Sequence, residues 1–159
     1  MTSNRNIEAF WQDYLDTLPV DSLKPQTLPE AWYFGDSAKM AVELGELVQQ
    51  GIKIATCSLL WEYEYDGDPI PRADELSIII DYDWNPLCII ETTEVEIKPY
   101  NEVDAQFAYD EGEGDRSLQY WRDAHWRFFS RSCQRIGREI SETMPLICER
   151  FRVIYPLSQ

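Results

Sequence analysis

Apolar and polar residues follow two different periods along this chain of 159 residues. The clearest helical period lies near the amino terminus, where apolar residues recur every three or four positions: Ile7, Phe10, Trp11, Tyr14, Leu15 and Leu18. This spacing puts them on one face and predicts an amphipathic helix at about residues 5–18. An aromatic stripe of this kind is typical of core packing.

Two further helices are predicted later in the chain. Residues Ala38 to Gln50 have a helical pattern, with a polar N-cap before them and Gly51 as the stop. The other helix runs from about Arg116 to Gly137, and its apolar stripe includes the only histidine of the chain, His125. We interpret this histidine as a hydrogen-bonded core residue. A short helix at residues 101–109, capped by Asn101, is predicted between two of the strands described next.

The period changes to two in four stretches, which predicts four strands at residues 57–65, 76–82, 87–98 and 146–155. In the first strand, a polar face with Thr56 and Ser58 lies opposite an aromatic face, so the polar face is a candidate wall for a pocket. Strands dominate the middle of the chain and helices surround them. This order favours an α+β or small-barrel fold over a doubly wound sheet.

The length and the 44% hydrophobic content suit one domain at residues 1–159 with a substantial core. No apolar run approaches the ~20 residues that span a bilayer, and the polar amino terminus has no signal-peptide core. The four cysteines are widely spaced, which favours buried free thiols over a disulfide framework or a structural zinc. We therefore expect a cytoplasmic protein.

The formal net charge is −15, with 29 acidic residues against 14 basic ones. A protein that grips a long nucleic acid by its phosphates needs a basic surface, because the affinity comes from lysine and arginine displacing counterions. Local basic patches remain, for example the arginines at residues 116–138. The overall balance argues against DNA or a long RNA and favours a small, weakly charged ligand.

Lys53 lies at the predicted junction of helix and strand, three residues before Thr56. One interpretation is a solvated loop lysine followed by an ordinary strand threonine. The other is a catalytic lysine whose pKa is lowered by desolvation, with Thr56 as the nucleophile that it activates. The aromatic residues at 32–34 would then form the walls of a pocket, although they are equally suited to a core.

An acidic loop at residues 109–115 carries the second candidate group, since Glu111 and Glu113 alternate there with two glycines. The loop is either solvated, or it aims a carboxylate at Lys53 to shuttle a proton. Motifs of serine hydrolases, P-loop enzymes, Rossmann proteins and zincins are absent from the sequence. His125 has no partner at ligand spacing, so we expect neither a metal site nor a cofactor.

Four spaced motifs resemble the ASCH domain (activating signal cointegrator homology) in its bacterial stand-alone form. They are Trp32-Tyr33-Phe34-Gly35-Asp36-Ser37, the Gly51–Glu64 stretch with Lys53-x-x-Thr56, Pro86–Val95, and Phe107–Trp121 with its Glu111-Gly112-Glu113-Gly114-Asp115 loop. The resemblance extends from about Phe10 to Tyr155. Two positions depart from the family pattern, Ile54 after the lysine and Ala73 before Asp74.

The resemblance implies a PUA-like mixed or antiparallel β-barrel of about five to six strands with surrounding helices, and a cleft for RNA or a nucleobase. Small bacterial members of the superfamily are amidohydrolases that act on N4-acetylcytidine through a lysine, a threonine and a glutamate. By this resemblance, Lys53 is the base and Thr56 the nucleophile. Glu111 is the proton donor to the leaving amine, with Glu113 as its rival.

The same resemblance implies the binding residues and the partner. Substrate contacts are expected from six side chains: Trp32, Phe34, Ser58, Glu113, Arg116 and Trp121. The expected partner is a modified nucleoside or a short RNA, and neither a membrane nor DNA is expected. Two alternatives remain, a non-catalytic RNA-binding module and a metal-independent ribonuclease.

Overall fold

The computed structural model describes residues 2–157, and their side chains from residue 6 onward. The helices in this range are α1 (Thr2–Thr17), α2 (Ala38–Gln49), α3 (Leu60–Asp66), α4 (Ala105–Glu111) and α5 (Leu118–Ile136), with a 3-10 turn at Tyr100–Glu102. The strands are β1 (Glu30–Trp32), β2 (Ala55–Leu59), β3 (Leu76–Ile80), β4 (Pro86–Pro99) and β5 (Pro145–Tyr155). They are hydrogen-bonded in the order β1-β3-β4-β5-β2, with β1 parallel to β3 and antiparallel pairs at β3–β4 and β2–β5.

The described chain divides into two compact units. One comprises residues 2–51, 76–91 and 152–157, and the other comprises residues 52–75 and 92–151. The second unit contains all three residues predicted to be catalytic. The assignment of residues 1–159 to one domain stays a prediction.

Helix α1 and strands β3 and β4 form the core of the first unit. The predicted apolar stripe of α1 is confirmed, since the buried cluster contains Ile7, Trp11 and Tyr14 together with Ile78, Ile80 and Ile89. Strand β1 lies parallel to β3, with Ala31 opposite Ile78. No strand is predicted at β1, because three residues are too few to show a period of two.

Strand β2, helix α4 and helix α5 form the core of the second unit. On β2, Ala55 and Leu59 are fully buried, and on α5 Trp121 and Phe129 are buried in the same cluster. Cys57 packs against this cluster, so the residues of β2 at odd positions face the core.

The pairing of β2 with β5 fixes which side chains share a face. Thr56 is opposite Glu149, and Cys57 is opposite Cys148. Directly opposite residues of an antiparallel pair point to the same side, whereas successive residues of one strand point to opposite sides. Thr56 and Glu149 therefore lie on the face of the sheet that is turned away from Cys57.

The predicted strand at residues 57–65 is wrong in its second half, because β2 ends at Leu59 and helix α3 follows. Helical spacing places Glu62 and Asp66 one turn apart on the same side, and both carboxylates accept hydrogen bonds from the guanidinium of Arg135 at 2.8 Å. An extended strand would point the two residues in the same direction but about 13 Å apart, beyond the reach of one guanidinium.

The predicted short helix at residues 101–109 begins later than expected. A 3-10 turn comes first, and α4 starts after Asp104, whose carboxylate accepts a hydrogen bond of 2.9 Å from the backbone amide of Phe107. Asp104 is therefore the N-cap in place of Asn101. The helix ends at Glu111, so this residue belongs to α4 and not to the predicted acidic loop at residues 109–115.

The remaining elements agree with the sequence pattern. Helix α5 is capped by Ser117 and closed by Gly137, and β3, β4 and β5 lie at the three predicted strand positions. All four cysteines carry free thiols. Among the helices of the described range, none is long and apolar enough to cross a membrane.

Candidate active site

Lys53 is buried at the centre of a cluster of charged groups, directly before strand β2. Its side chain is 1% exposed, and its ammonium donates hydrogen bonds to Glu111 Oε1 at 2.9 Å and to Glu113 Oε2 at 2.8 Å. The backbone oxygen of Ala55 accepts another bond from it at 3.0 Å. The two glutamates that the sequence left as rivals thus both bind the same lysine.

The turn after α4 brings Glu111 to this lysine. Gly112 has a φ of 75°, a conformation that side chains with a Cβ rarely adopt. A Cβ at Gly112 would also lie 2.7 Å from the backbone oxygen of Ile52. Glycine is therefore required twice at this position, by the backbone angle and by the close approach of the segment that carries Lys53.

The second oxygen of the Glu111 carboxylate accepts three hydrogen bonds. The indole nitrogen of Trp121 donates at 2.5 Å and the thiol of Cys57 at 3.2 Å, while Nε2 of His125 lies 3.2 Å away. Glu111 is only 1% exposed. Because every one of these neighbours donates a hydrogen bond, the carboxylate is held in its charged form despite its burial.

The pKa values of Lys53 and Glu111 are shifted in opposite directions. Burial alone would lower the pKa of Lys53, but the charges of Glu111 and Glu113 outweigh burial and raise it. Burial alone would raise the pKa of Glu111, but Lys53 and His125 outweigh burial and lower it. At neutral pH the pair is therefore an ammonium and a carboxylate.

His125 supports the same charge distribution from helix α5. Its ring stacks on Trp121 with a centroid distance of 4.2 Å, and Nδ1 lies 2.9 Å from the backbone oxygen of Trp121. A backbone oxygen and a carboxylate can only accept, so both ring nitrogens carry hydrogens when both bonds form. Burial lowers the pKa of His125, yet the charge of Glu111 outweighs it and the pKa is raised above its ordinary value of 6.5.

Cys57, Glu111 and His125 place three ligand-type atoms within 4.8 Å of one another, the one such group in the part of the chain that the structure describes. A cation fits this group poorly. The pKa of the Cys57 thiol is raised well above its ordinary value by burial and by Glu111, and the Lys53 ammonium binds the same carboxylate. We interpret the group as a hydrogen-bonded cluster, and the expected absence of a metal stays a prediction.

The predicted nucleophile, Thr56, is half-buried and lies on the other face of β2 from Cys57. Its cross-strand neighbour on that face is Glu149. Ser58 shares the face of Thr56, and its hydroxyl lies 3.2 Å from the hydroxyl of Tyr63. The structure thus brings Lys53 to the two glutamates, whereas Thr56 lies on the opposite face of β2, cross-strand from Glu149.

The predicted binding residues are placed in several environments. Arg116 lies over the ring of Tyr109 and bonds its backbone oxygen at 2.9 Å, and Trp121 is buried with its indole nitrogen on Glu111. Trp32 and Phe34 belong to the first unit, where their ring centroids are 4.7 Å apart and Phe34 is buried. The substrate contacts assigned to these residues stay predictions.

Glu149 is a candidate residue that the sequence reading does not single out. It is 7% exposed and accepts a hydrogen bond of 3.3 Å from the hydroxyl of Thr92 on β4. Burial and the nearby charge of Glu75 outweigh this bond and raise the pKa of Glu149 to about 7. The available signal is a single acid among apolar residues at alternate positions of β5, where Ile147, Phe151, Val153 and Tyr155 share its parity.

The chain is similar to known proteins over most of its length. The model of the ASCH domain family matches residues 30–155. The chain belongs to the ASCH domain family. No curated protein matches the chain.

Two solved structures are similar to this ASCH protein over nearly its whole length. The ASCH domain from Lactobacillus crispatus JV V101 is 36% identical, with a TM-score of 0.88 and 95% of both chains covered. Protein EF3133 from Enterococcus faecalis V583 is 40% identical, with a TM-score of 0.83 and coverage of 94% of this chain and 88% of that one. These similarities confirm the predicted family and the predicted α+β class, and the sheet of the described residues is a mixed one of five strands with surrounding helices. Family membership suggests an RNA-related function.

Proposed function

We propose that this ASCH protein hydrolyses the exocyclic amide of an N4-acylated cytidine-type nucleoside, with Thr56 as the nucleophile and Lys53 and Glu111 as proton carriers. The observation that carries the proposal is the convergence of Lys53 with Glu111 and Glu113 at a buried point three residues before Thr56. Burying such charges costs several kcal/mol per ion, and perturbed ionisable groups of this kind concentrate at functional sites.

The charge state of the pair decides which proton it can give. At rest the proton is on Lys53, so the pair is ready to donate to a leaving amine. For Lys53 to act as a base, its proton must first move to Glu111 Oε1 along their hydrogen bond of 2.9 Å. That single transfer would produce a neutral amine and a protonated carboxyl together, which are the base and the acid that the family resemblance implies.

The proposed reaction has two halves. In the first, the hydroxyl oxygen of Thr56 bonds to the acyl carbon and gives its proton to a base, while the bond from that carbon to N4 breaks. N4 takes a proton from the Lys53–Glu111 pair, which lies on the other face of β2, so the substrate must bind at the free edge of this last strand of the sheet. Cytidine leaves and the acyl group remains as an ester on Thr56. In the second half, the oxygen of water bonds to the acyl carbon and water gives a proton back to the Lys53–Glu111 pair, while the bond from that carbon to the Thr56 oxygen breaks and this oxygen regains its proton from the base.

The net charge of −15 supports a nucleoside over a polymer as the substrate. A free nucleoside carries no phosphate, so it approaches an acidic protein without electrostatic repulsion. A short RNA would need local compensation by arginines, and one of them, Arg135, is already paired with Glu62 and Asp66.

The test is release of cytidine from N4-acetylcytidine, followed by chromatography. Thr56→Val keeps the volume of the side chain and removes the nucleophile, so we expect the rate to fall to background. Thr93→Val on β4, an exposed threonine of the second unit, is the matched control and should keep the wild-type rate. Lys53→Ala should lower the rate by at least about a hundredfold, with circular dichroism to confirm that the variant is folded.

Two results would overturn the proposal. One is a wild-type protein without turnover of any N4-acylcytidine, and the other is a folded Thr56→Val variant with undiminished turnover. RNA binding without turnover, weakened steeply by salt, would instead support the RNA-binding alternative.

A further inference from the structure

Glu149 is a buried carboxyl that is not paired with a basic side chain among the described residues. Arg150, the next residue, does not neutralise Glu149, because it lies on the other face of β5 and pairs with Asp110 and Glu94. Buried carboxylates in proteins are ordinarily paired with a cation or bound by several donors. Glu149 has one donor, the hydroxyl of Thr92, so stability alone does not explain its presence.

The position of Glu149 relative to Thr56 supplies the second observation. The two residues are directly opposite each other in the β2–β5 ladder and share one face. Such neighbours have Cβ atoms about 5 Å apart, and the carboxyl of a glutamate extends two carbons beyond its Cβ. The Thr92 hydroxyl binds Oε1, and Oε2 accepts no hydrogen bond from the described residues. No hydrogen bond joins Thr56 to Glu149 among the described residues, so we expect a rotation of the Glu149 side chain to bring Oε2 to the hydroxyl of Thr56.

We propose that the carboxylate of Glu149 accepts the hydroxyl proton of Thr56 when Thr56 attacks the acyl group. This inference rests on the proposed function and assigns the role of base to Glu149 in place of Lys53. The proton of the hydroxyl moves to Oε2 of Glu149 as the bond from the hydroxyl oxygen to the acyl carbon forms. When water later cleaves the ester, the regenerated Thr56 oxygen takes a proton, and Glu149 returns to the carboxylate.

The charge states of Lys53 and Glu149 favour Glu149 as the base that accepts the proton of Thr56. Lys53 is held as an ammonium on the Cys57 side of β2, so it carries a proton to donate and none to accept. Glu149 faces Thr56 and needs no prior proton transfer. Glu149 then serves the Thr56 hydroxyl on one face of β2, and the Lys53–Glu111 pair serves N4 from the other face, across the free edge of this last strand of the sheet.

A base of this kind imposes a pH dependence. The pKa of Glu149 is about 7, raised by burial and by Glu75 and lowered by the bond from Thr92. The active form is the carboxylate, so kcat/KM should rise with pH through about 7 and level off above it. His125 also titrates above 6.5, and therefore the rise alone does not identify Glu149.

The experiment is a pH profile of kcat/KM for N4-acetylcytidine in the wild type and three variants. In Glu149→Gln, kcat/KM should fall by about a hundredfold or more at pH 8, and the rise of kcat/KM with pH that comes from Glu149 should be absent. Thr92→Val removes the bond that lowers the pKa of Glu149, so the rise should move to higher pH. Glu96→Gln, which removes an exposed acid of β4, should leave the profile unchanged.

Each outcome decides between the two proposals. Wild-type turnover together with a Glu149→Gln variant of normal rate and profile overturns the role of Glu149 and leaves the proposed function standing. An inactive Glu149→Gln variant with an unmoved profile in Thr92→Val shows a structural role only and also overturns it. A wild type without turnover overturns the proposed function, and the inference with it.

Discussion

Two buried glutamates of the second unit show how neighbours decide the charge of a single residue. Glu111 and Glu149 are 1% and 7% exposed, so water is removed from both. Glu111 is beside Lys53 and His125, and its pKa is lowered; Glu149 has one neutral donor and an acidic neighbour, and its pKa is raised to about 7. The same residue type therefore serves as a fixed charge at one position and as a titrating group at the other.

The raised pKa of Glu149 predicts a stability change that needs no substrate. The folded protein keeps a proton on Glu149 up to about pH 7, whereas the unfolded chain loses it near the ordinary value of 4.5. The free energy of unfolding therefore falls as pH rises between these values, by at most roughly 3 kcal/mol. Glu149→Gln removes this loss, so urea denaturation at pH 5 and pH 8 should show a smaller difference than in the wild type.

The control for this measurement is Glu96→Gln, which alters an exposed carboxyl of β4 and should keep the wild-type pH dependence. An identical change from pH 5 to pH 8 in wild type and Glu149→Gln would show that Glu149 ionises in the folded protein as it does in water. That result would also remove the basis for its role as a base near neutral pH.

At the scale of elements, the hydrophobic pattern predicts the long helices and strands and misplaces the short ones. Helix α5 and strand β4 carry many apolar positions, so their periods are unambiguous. Helix α3 has seven residues, and two of them, Glu62 and Asp66, bind Arg135, which is far away in sequence. Local pattern contains no information on such contacts.

In the candidate site, too, the sequence identifies individual residues but not the contacts between residues that are distant in the chain. The family motifs single out Lys53 and Glu111, and the structure places them 2.9 Å apart. They do not indicate that Cys57 and His125 bind the same carboxylate, or that Glu149 is opposite Thr56. Those relations depend on the register of β2 against β5 and on the docking of α5, which only the folded chain defines.

The turn between α4 and α5 gives a prediction at this scale. Gly112→Ala forces a left-handed residue, at a cost of about 1–2 kcal/mol, and also pushes a Cβ against the backbone oxygen of Ile52 at 2.7 Å. Gly67→Ala, after α3, has a nearly equal φ of 73° and meets no atom within 4 Å. Gly112→Ala should therefore be the more destabilised of the two in urea denaturation, and it alone should lower turnover.

Equal losses of stability in the two variants, with equal turnover, would contradict this reading. They would mean that the backbone angle is the only constraint at Gly112. The close approach to Ile52 would then have no part in holding Glu111 against Lys53.

At the scale of the whole molecule, the net charge of −15 makes salt dependence a test between a nucleoside hydrolase and an RNA-binding module. A neutral nucleoside has no phosphate to exchange for counterions, so the KM for N4-acetylcytidine should change less than about twofold between about 50 and 300 mM salt. A short single-stranded RNA should bind weakly, since each phosphate contact must overcome the repulsion of the acidic surface. Fluorescence anisotropy with a labelled RNA measures the affinity for RNA over the same salt range.

A steep fall of RNA affinity with salt, equivalent to several phosphate contacts, would show that arginines such as Arg127 and Arg131 form an effective basic surface. The RNA-binding function would then take precedence.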